Sequence, residues 1–156
     1  MLHLDLAEFQ EAFDVNWIDW CKGGPRDGGY TRAGVEVPCV PRWLRFSRKT
    51  DISIEDALSK NREEAERWHL GFLKDHSDLE HTPYYLEYLN PRYNTESVRR
   101  ANEFLFLFDD VLNNGVKSPI WIADLGDRCF RFDGCHRTCC AKICGHNTVP
   151  ALVFTA

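Results

Sequence analysis

The sequence lacks any long hydrophobic run, and no segment approaches the length that a membrane-spanning helix needs. The first residues also lack the basic start and the long apolar stretch of a secretory signal peptide. Neither an internal repeat nor a low-complexity segment is present. These absences argue against a membrane protein and a repeat protein, and we expect a cytoplasmic protein.

The chain also lacks an excess of positive charge, and its net charge is −5. This balance argues against a protein that coats nucleic acid in general. The charge is uneven, however, since residues 22–49 carry seven basic and two acidic side chains, a local charge of +5. That segment is a candidate surface for the phosphates of a nucleotide or of a nucleic-acid backbone. A solvated basic loop explains it equally well.

The seven cysteines do not form a recognisable disulfide or zinc pattern. Their number is odd, and four of them fall on one short predicted helix, where two cysteines rarely reach disulfide geometry. The C-x₃-C-C-x₃-C spacing lacks the paired C-x₂-C units of a zinc site. We interpret these four as reduced thiols that act as small apolar residues: Cys135, Cys139, Cys140 and Cys144.

Length and periodicity predict one α+β domain over residues 1–156. Residues 1–34 are expected to form an amphipathic helix and a glycine-rich loop, followed by a core over 35–156 with a helical insertion at about 51–94. Ser53 predicts the start of a helix, and another helix is predicted from Thr95 to a stop at Gly115. The element order indicates a small mixed β-sheet packed by helices. His69 and His76 are expected at the surface or its boundary.

The most informative segment is Phe-Asp-Gly-Cys-His-Arg at positions 132–137. An apolar strand-like run precedes it, Asp133-Gly134 is a turn pair, and a helix with Gly145 as its cap is predicted to follow. A strand, a glycine turn and a helix leave unpaired backbone N–H groups that point at one spot, where the helix dipole adds positive potential. This arrangement predicts a phosphate-binding turn at the edge of the sheet.

These six residues resemble the signature of the ParB/sulfiredoxin superfamily, which is Gly-Cys-His-Arg in sulfiredoxins and Asp-Gly-His-His-Arg-like in ParB-like proteins and free-serine kinases. The likeness covers residues from about 95 to 156, including the Pro119-Ile120 approach strand and the exit strand at 148–154. The resemblance implies a ParB/sulfiredoxin-like fold and a nucleotide-binding function. Its cofactors would be ATP, or another nucleoside triphosphate, and Mg²⁺.

The resemblance also implies roles for single residues. Cys135 matches the reactive thiol of ATP-dependent sulfinic-acid repair, and a helix amino end beside cationic donors is expected to lower the pKa of its thiol. His136 and Arg137 match positions that hold phosphates. Gly134 supplies room or a positive φ, and Asp133 either touches a phosphate-bound metal or serves as an Asx turn or N-cap. The alternatives are that Cys135 and His136 only pack and that Arg137 makes a surface ion pair.

Arg42 and Arg45 are candidates for a second phosphate clamp, with solvent-exposed arginines as the alternative explanation. A phosphoryl transfer would also need a base, and four carboxylates are possible: Glu36, Asp51, Glu55 and Glu96. No protein-held metal site is predicted.

Three functions follow from these expectations. The first is a nucleotide-dependent enzyme, a phosphotransferase or hydrolase that acts on a small molecule or a protein group. The second is a ParB-like module in which nucleotide controls DNA binding, or a nuclease; a DNA partner is not favoured, because no helix-turn-helix follows the motif. The third is a non-catalytic domain that contacts other proteins through its aromatic helices.

Overall fold

The computed structural model describes the backbone of residues 26–28, 31–32, 35–36, 39–41, 45–124, 126 and 129–155. Most side chains from residue 46 onward are described as well. The predicted amino-terminal helix and Arg42 lie outside the described residues, as do the side chains of Glu36, Arg45 and Asp133.

Within this part of the chain, a mixed four-stranded sheet forms the framework. The strand order is β5-β8-β6-β7, with β8 antiparallel to β5, parallel to β6, and β7 antiparallel to β6 at the edge. Two short antiparallel pairs, β1 with β4 and β2 with β3, precede it. The strands are β1 Arg26–Gly28, β2 Thr31–Arg32, β3 Val35–Glu36, β4 Cys39–Pro41, β5 Arg45–Ser53, β6 Ile120–Asp124, β7 Cys129–Asp133 and β8 Thr148–Thr155.

Helical turns connect β5 to β6, and one further helix connects β7 to β8. The α-helices are α1 Ile54–Leu58, α2 Arg62–Glu64, α3 Gly71–Lys74, α4 Asn90–Tyr93, α5 Ser97–Asn114 and α6 Cys135–Ile143. Two π-helical turns span Ala65–Leu70 and Tyr84–Leu89, and 3₁₀ turns span Ser59–Asn61, Leu79–His81 and Asn94–Glu96. The chain is therefore α+β, with a small sheet packed by helices, as its sequence predicts.

Local signals set the ends of several helices. The Ser53 side chain accepts a hydrogen bond from the Asp56 N–H at 3.1 Å, and α1 begins directly after it. At the far end of α6, the Gly145 N–H donates to the Lys142 carbonyl and the His146 N–H to the Ala141 carbonyl. These are the two bonds of a Schellman motif, with Gly145 at a φ of 87°.

The segment between α3 and α5 is largely helical although it contains two prolines. Pro83 precedes the π-helical turn, and Pro91 lies in the first turn of α4, so both occupy positions where a missing N–H costs little. Tyr84 and Leu89 are each 1% exposed. Burial of these large side chains compensates for weak local propensity.

No helix in the described ranges has both the length and the apolar character to cross a membrane.

Gly134 is the position where β7 turns into α6, and we expect it to tolerate no side chain. Its φ is 102°, and a Cβ atom there would lie 2.4 Å from the Ile120 Cγ2 atom. We predict that Gly134→Ala lowers the free energy of unfolding by about 2–4 kcal/mol, through left-handed strain and overpacking together. Urea denaturation measures the loss.

Gly145→Ala is the matched control at the other end of α6. Gly145 also has a positive φ, of 87°, but a Cβ atom would meet nothing within 4 Å. We expect Gly145→Ala to lower the free energy of unfolding by about 1–2 kcal/mol, through the strained left-handed backbone alone. Equal losses in the two variants would contradict the packing role of Gly134.

Candidate functional site

The amino end of α6 lies at the edge of the sheet, directly after β7. Gly134 occupies the N-cap position in the left-handed region, and as a glycine it has no side chain of its own to cap this helix end. The Gly134 carbonyl accepts from the Thr138 N–H at 3.0 Å and the Thr138 hydroxyl at 2.8 Å. The first N–H groups of a helix have no intrahelical acceptor, so this end offers donors in a field of positive potential.

Cys135 begins α6, and its half-buried thiol lies in a cluster that stabilises negative charge. The Cys139 thiol donates to the Cys135 sulfur, Arg131 adds positive charge nearby, and the Asn61 Nδ2 atom is 4.0 Å away. These contacts lower the pKa of the Cys135 thiol against the opposing effect of burial, while that of Cys139 rises well above its ordinary value. The arrangement can hold a thiolate at Cys135 near neutral pH.

Arg131 keeps its position through bonds to the first helical turns. Its Nη1 donates to the Ala57 carbonyl at 2.6 Å, and its Nη2 donates to the Asn61 Oδ1 at 2.8 Å. Arg131 and Asn61 were not among the site residues predicted from the sequence. The available signal was an arginine in the middle of the otherwise apolar run at 129–132.

The His136 side chain points into an aromatic cluster and not into solvent. Its Nε2 atom lies 3.1 Å from the Tyr84 hydroxyl, and its ring meets Phe104 edge-on at 4.7 Å between centroids. Burial, followed by the nearby charge of Arg131, lowers the pKa of His136 to about 4. The imidazole is therefore neutral at pH 7, where it can donate one hydrogen bond but carries no charge.

His69 is buried, and its expected place at the surface or its boundary is wrong. It is 3% exposed, and its ring packs against Tyr88 at 4.8 Å and against His136 at 4.9 Å. Neither ring nitrogen has a hydrogen-bond partner among the described residues. Contacts with residues distant in sequence bury this imidazole, and its position on a polar-looking helix gives no sign of them.

Arg137 turns back toward the strand before the motif. Its Nη1 donates to the Ser118 carbonyl at 2.9 Å and to the Pro119 carbonyl at 2.6 Å. These bonds tie the amino end of α6 to the chain entering β6.

The candidate bases have other partners or lie outside the described side chains. Glu55 pairs with Lys142 at 3.0 Å and with Arg62, and Glu96 pairs with Arg99 at 2.5 Å. Asp51 is exposed on β5. The phosphate clamp expected from Arg42 and Arg45, and the role of Asp133, stay predictions.

A cavity of about 260 Å³ lies beside His136, between α5 and the turn Tyr84–Leu89. Aromatic side chains dominate its walls, together with Arg100 and Glu103. The tyrosines within residues 84–88 match no functional motif in the sequence. Only the fold shows that this segment faces the motif.

Among the described residues, no group of three or more histidine, cysteine, aspartate or glutamate side chains is placed to hold a metal ion. Mg²⁺ commonly binds through one or two carboxylates and substrate phosphates. The Mg²⁺ ion expected to enter with a nucleotide therefore stays a prediction.

We predict that Cys135 reacts as a thiolate below the pH at which an ordinary thiol ionises. Alkylation by iodoacetamide, followed at Cys135 by mass spectrometry, is expected to show a midpoint below that of glutathione in the same buffers. Cys139→Ala removes the hydrogen bond that lowers this pKa most, so its midpoint should rise.

Cys140→Ala is the control for that experiment, because Cys140 is also 0% exposed but donates no hydrogen bond to Cys135 in this structure. Its midpoint should match that of the wild type. A wild-type midpoint equal to that of glutathione would refute the thiolate cluster.

The two buried imidazoles are expected to make the fold sensitive to acid. Burial first, and nearby cationic groups next, lower the pKa of His69 and His136 in the folded state below the ordinary 6.5. The unfolded chain therefore binds more protons as pH falls from 6.5 toward about 4, and stability falls with it. Well above pH 6.5 the imidazoles are neutral in both states, and neither contributes to the dependence.

His69→Phe should remove about 1.4 kcal/mol per pH unit from that slope, because one titrating group is lost. Urea midpoints measured from pH 4.5 to 7.5 test this expectation. Phe106→Gln, at an exposed position without an ionisable side chain, should keep the wild-type slope. If His69→Phe keeps it too, His69 titrates normally in the folded protein.

No protein-family model matches the chain, and no curated protein matches it. Among solved structures, the chain is similar to the crystal structure of sulfiredoxin from Arabidopsis thaliana. The identity is 15%, the TM-score is 0.40, and the alignment covers 70% of this chain and 88% of that chain. This similarity is distant, and it does not by itself assign the chain to a family.

Proposed function

We propose that this chain is a nucleotide-binding protein with a ParB/sulfiredoxin-like fold, and that it catalyses ATP-dependent phosphoryl transfer or nucleotide hydrolysis. The substrate class is a small molecule or a protein group. The observation that carries the proposal is the amino end of α6, which begins at the left-handed N-cap residue Gly134, held against Ile120. Such a helix end favours phosphate.

In this proposal the backbone N–H groups that open α6 bind the phosphates. Cys135 and His136 supply two of them, and the helix dipole adds to their attraction. Arg137 both anchors this end through the Ser118 and Pro119 carbonyls and contributes positive charge beside it. The neutral imidazole of His136 acts as a hydrogen-bond donor or acceptor, not as a cation.

Cys135 is the proposed nucleophile. Its thiolate is supported by the hydrogen bond from Cys139 and by the charge of Arg131. A low-pKa thiol at a helix amino end is the arrangement that makes cysteine reactive near neutral pH. Arg131 would in turn stabilise charge that develops next to the sulfur.

A second candidate, a non-catalytic domain for protein contacts, is favoured by one observation. Phe106 is 74% exposed and Leu112 is 59% exposed on α5. Large apolar side chains on one helix at this exposure suit a contact surface. The alternative of a DNA-binding or nuclease module depends on residues 22–49, most of whose side chains lie outside the described part of the chain.

We predict that a nucleoside triphosphate raises the melting temperature in the presence of Mg²⁺. At a ligand concentration of 100 Kd, the stabilisation is about 2.7 kcal/mol. For a domain of this size, that corresponds to a shift of about 5–10 °C. Arg137→Gln should weaken binding about tenfold or more, because it removes a charged donor beside the phosphates.

Lys142→Gln is the matched control, since Lys142 lies near the other end of the same helix and pairs with Glu55. It should leave the shift unchanged. ATP, CTP and ADP are compared in parallel. Release of inorganic phosphate supports the enzyme, whereas a nucleotide-dependent gel shift of DNA supports the alternative module. Absence of stabilisation by every nucleotide would overturn the proposal and leave the protein-contact function.

A further inference from the structure

The cavity beside His136 has the size of a ring system and not of a whole nucleotide. Its volume is about 260 Å³, just below the range of about 300–1,000 Å³ that is usual for drug-sized ligands. A nucleotide with its base inside would therefore leave its ribose and phosphates outside. This size indicates a subsite for one part of a larger ligand.

The walls of the cavity are flat and aromatic. The rings of Tyr84 and Tyr88 are nearly parallel, with an interplanar angle of 17° and centroids 5.3 Å apart. Phe104 lies nearby, with centroids 5.4 Å from Tyr84. These rings pack on one another and give the cavity an apolar aromatic wall, against which a planar ligand such as a nucleobase can pack.

The polar groups of the cavity suit a heteroaromatic ring and not a hydrocarbon. The Arg100 Nε atom is buried and has no hydrogen-bond partner among the described residues, while its guanidinium lies 4.4 Å from the centre of the Tyr93 ring. A buried donor without an acceptor is costly, and a ring nitrogen or carbonyl oxygen of a ligand would satisfy it. Glu103 also lines the cavity, and its Oε1 atom pairs with Arg99.

His136 connects the cavity to the phosphate site of the proposed function. Its backbone N–H belongs to the first turn of α6, whereas its ring forms part of the cavity wall. The two sites therefore meet at a single residue. A ribose joins a base to its phosphates over a similarly short span.

We infer that this aromatic cavity binds the base of the nucleotide, with Arg100 as the hydrogen-bond donor to the base. The inference rests on the proposed function, because it takes the phosphates to lie at the amino end of α6. It adds that affinity depends on the base as well as on the phosphates. It also assigns base recognition to the segment between β5 and β6, outside the motif.

The test compares two probes on the full chain with Mg²⁺ in excess: ATP, and tripolyphosphate, which lacks a base. Isothermal titration calorimetry of the wild type should show ATP binding about tenfold or more tightly than tripolyphosphate, in line with the stacking of one base. Leu107→Trp places a large ring at the cavity wall. That variant should bind the two probes equally, with its tripolyphosphate affinity unchanged.

Two further variants make the result specific. Leu112→Trp makes the same replacement at an exposed position of α5 that does not line the cavity, and it should behave like the wild type. Arg100→Lys keeps the charge but removes the planar donor, so it should weaken ATP about fivefold or more and leave tripolyphosphate unchanged. If Leu107→Trp fails to fold, Arg100→Lys still tests the inference.

The outcomes separate the two proposals. If the wild type binds ATP and tripolyphosphate equally, or if both cavity variants keep the full preference for ATP, the base does not occupy this cavity and only the present inference fails. If neither probe binds the wild type, the proposed function fails together with it.

Discussion

The close approach of Gly134 to Ile120 is the constraint on which the site depends. A left-handed residue at this point reverses the chain between an edge strand and α6, and the missing side chain lets the helix end come directly against β6. Arg137 reinforces the contact by binding the two carbonyls that precede β6. Because both restraints act on the same helix end, its backbone donors are held in a fixed direction. Preorganised donors of this kind need no rearrangement when an anion arrives.

A second constraint couples the helical segment after β5 to the motif. His69, Tyr84 and Phe104 come from three different helical elements, and their rings all contact His136. The contacts bury two imidazoles, one of them with both nitrogens unpaired among the described residues. Buried polar groups without partners oppose folding, so the surrounding aromatic packing must offset that cost. The cluster thus lowers the stability of the fold at low pH, and its packed rings form a defined wall beside the motif.

The positive charge of Arg131 affects the two motif residues Cys135 and His136 in different ways. The hydrogen bond from Cys139 lowers the pKa of Cys135 most and burial lowers that of His136 most, and Arg131 lowers both further. One guanidinium thus favours an anionic sulfur and a neutral imidazole at the same time. Two adjacent residues in one helical turn thereby differ in character: one is a thiol with a lowered pKa, and the other is a neutral hydrogen-bonding group.

The amino-acid sequence by itself determined the local features: the helix start after Ser53, the stop of α5 at Gly115, the α6 helix with Gly145 behind it, and the α+β order of elements. Each depends on a residue's own backbone preference or on neighbours within a few positions, and so it can be predicted from the sequence. Only the tertiary structure decided that Asn61 meets both Arg131 and Cys135 and that Tyr84 meets His136. These partners are 52 to 74 positions apart, and no local preference encodes such a contact. Packing of the helical segment against α6 brings them together, and with them it buries His69 and forms the aromatic cavity.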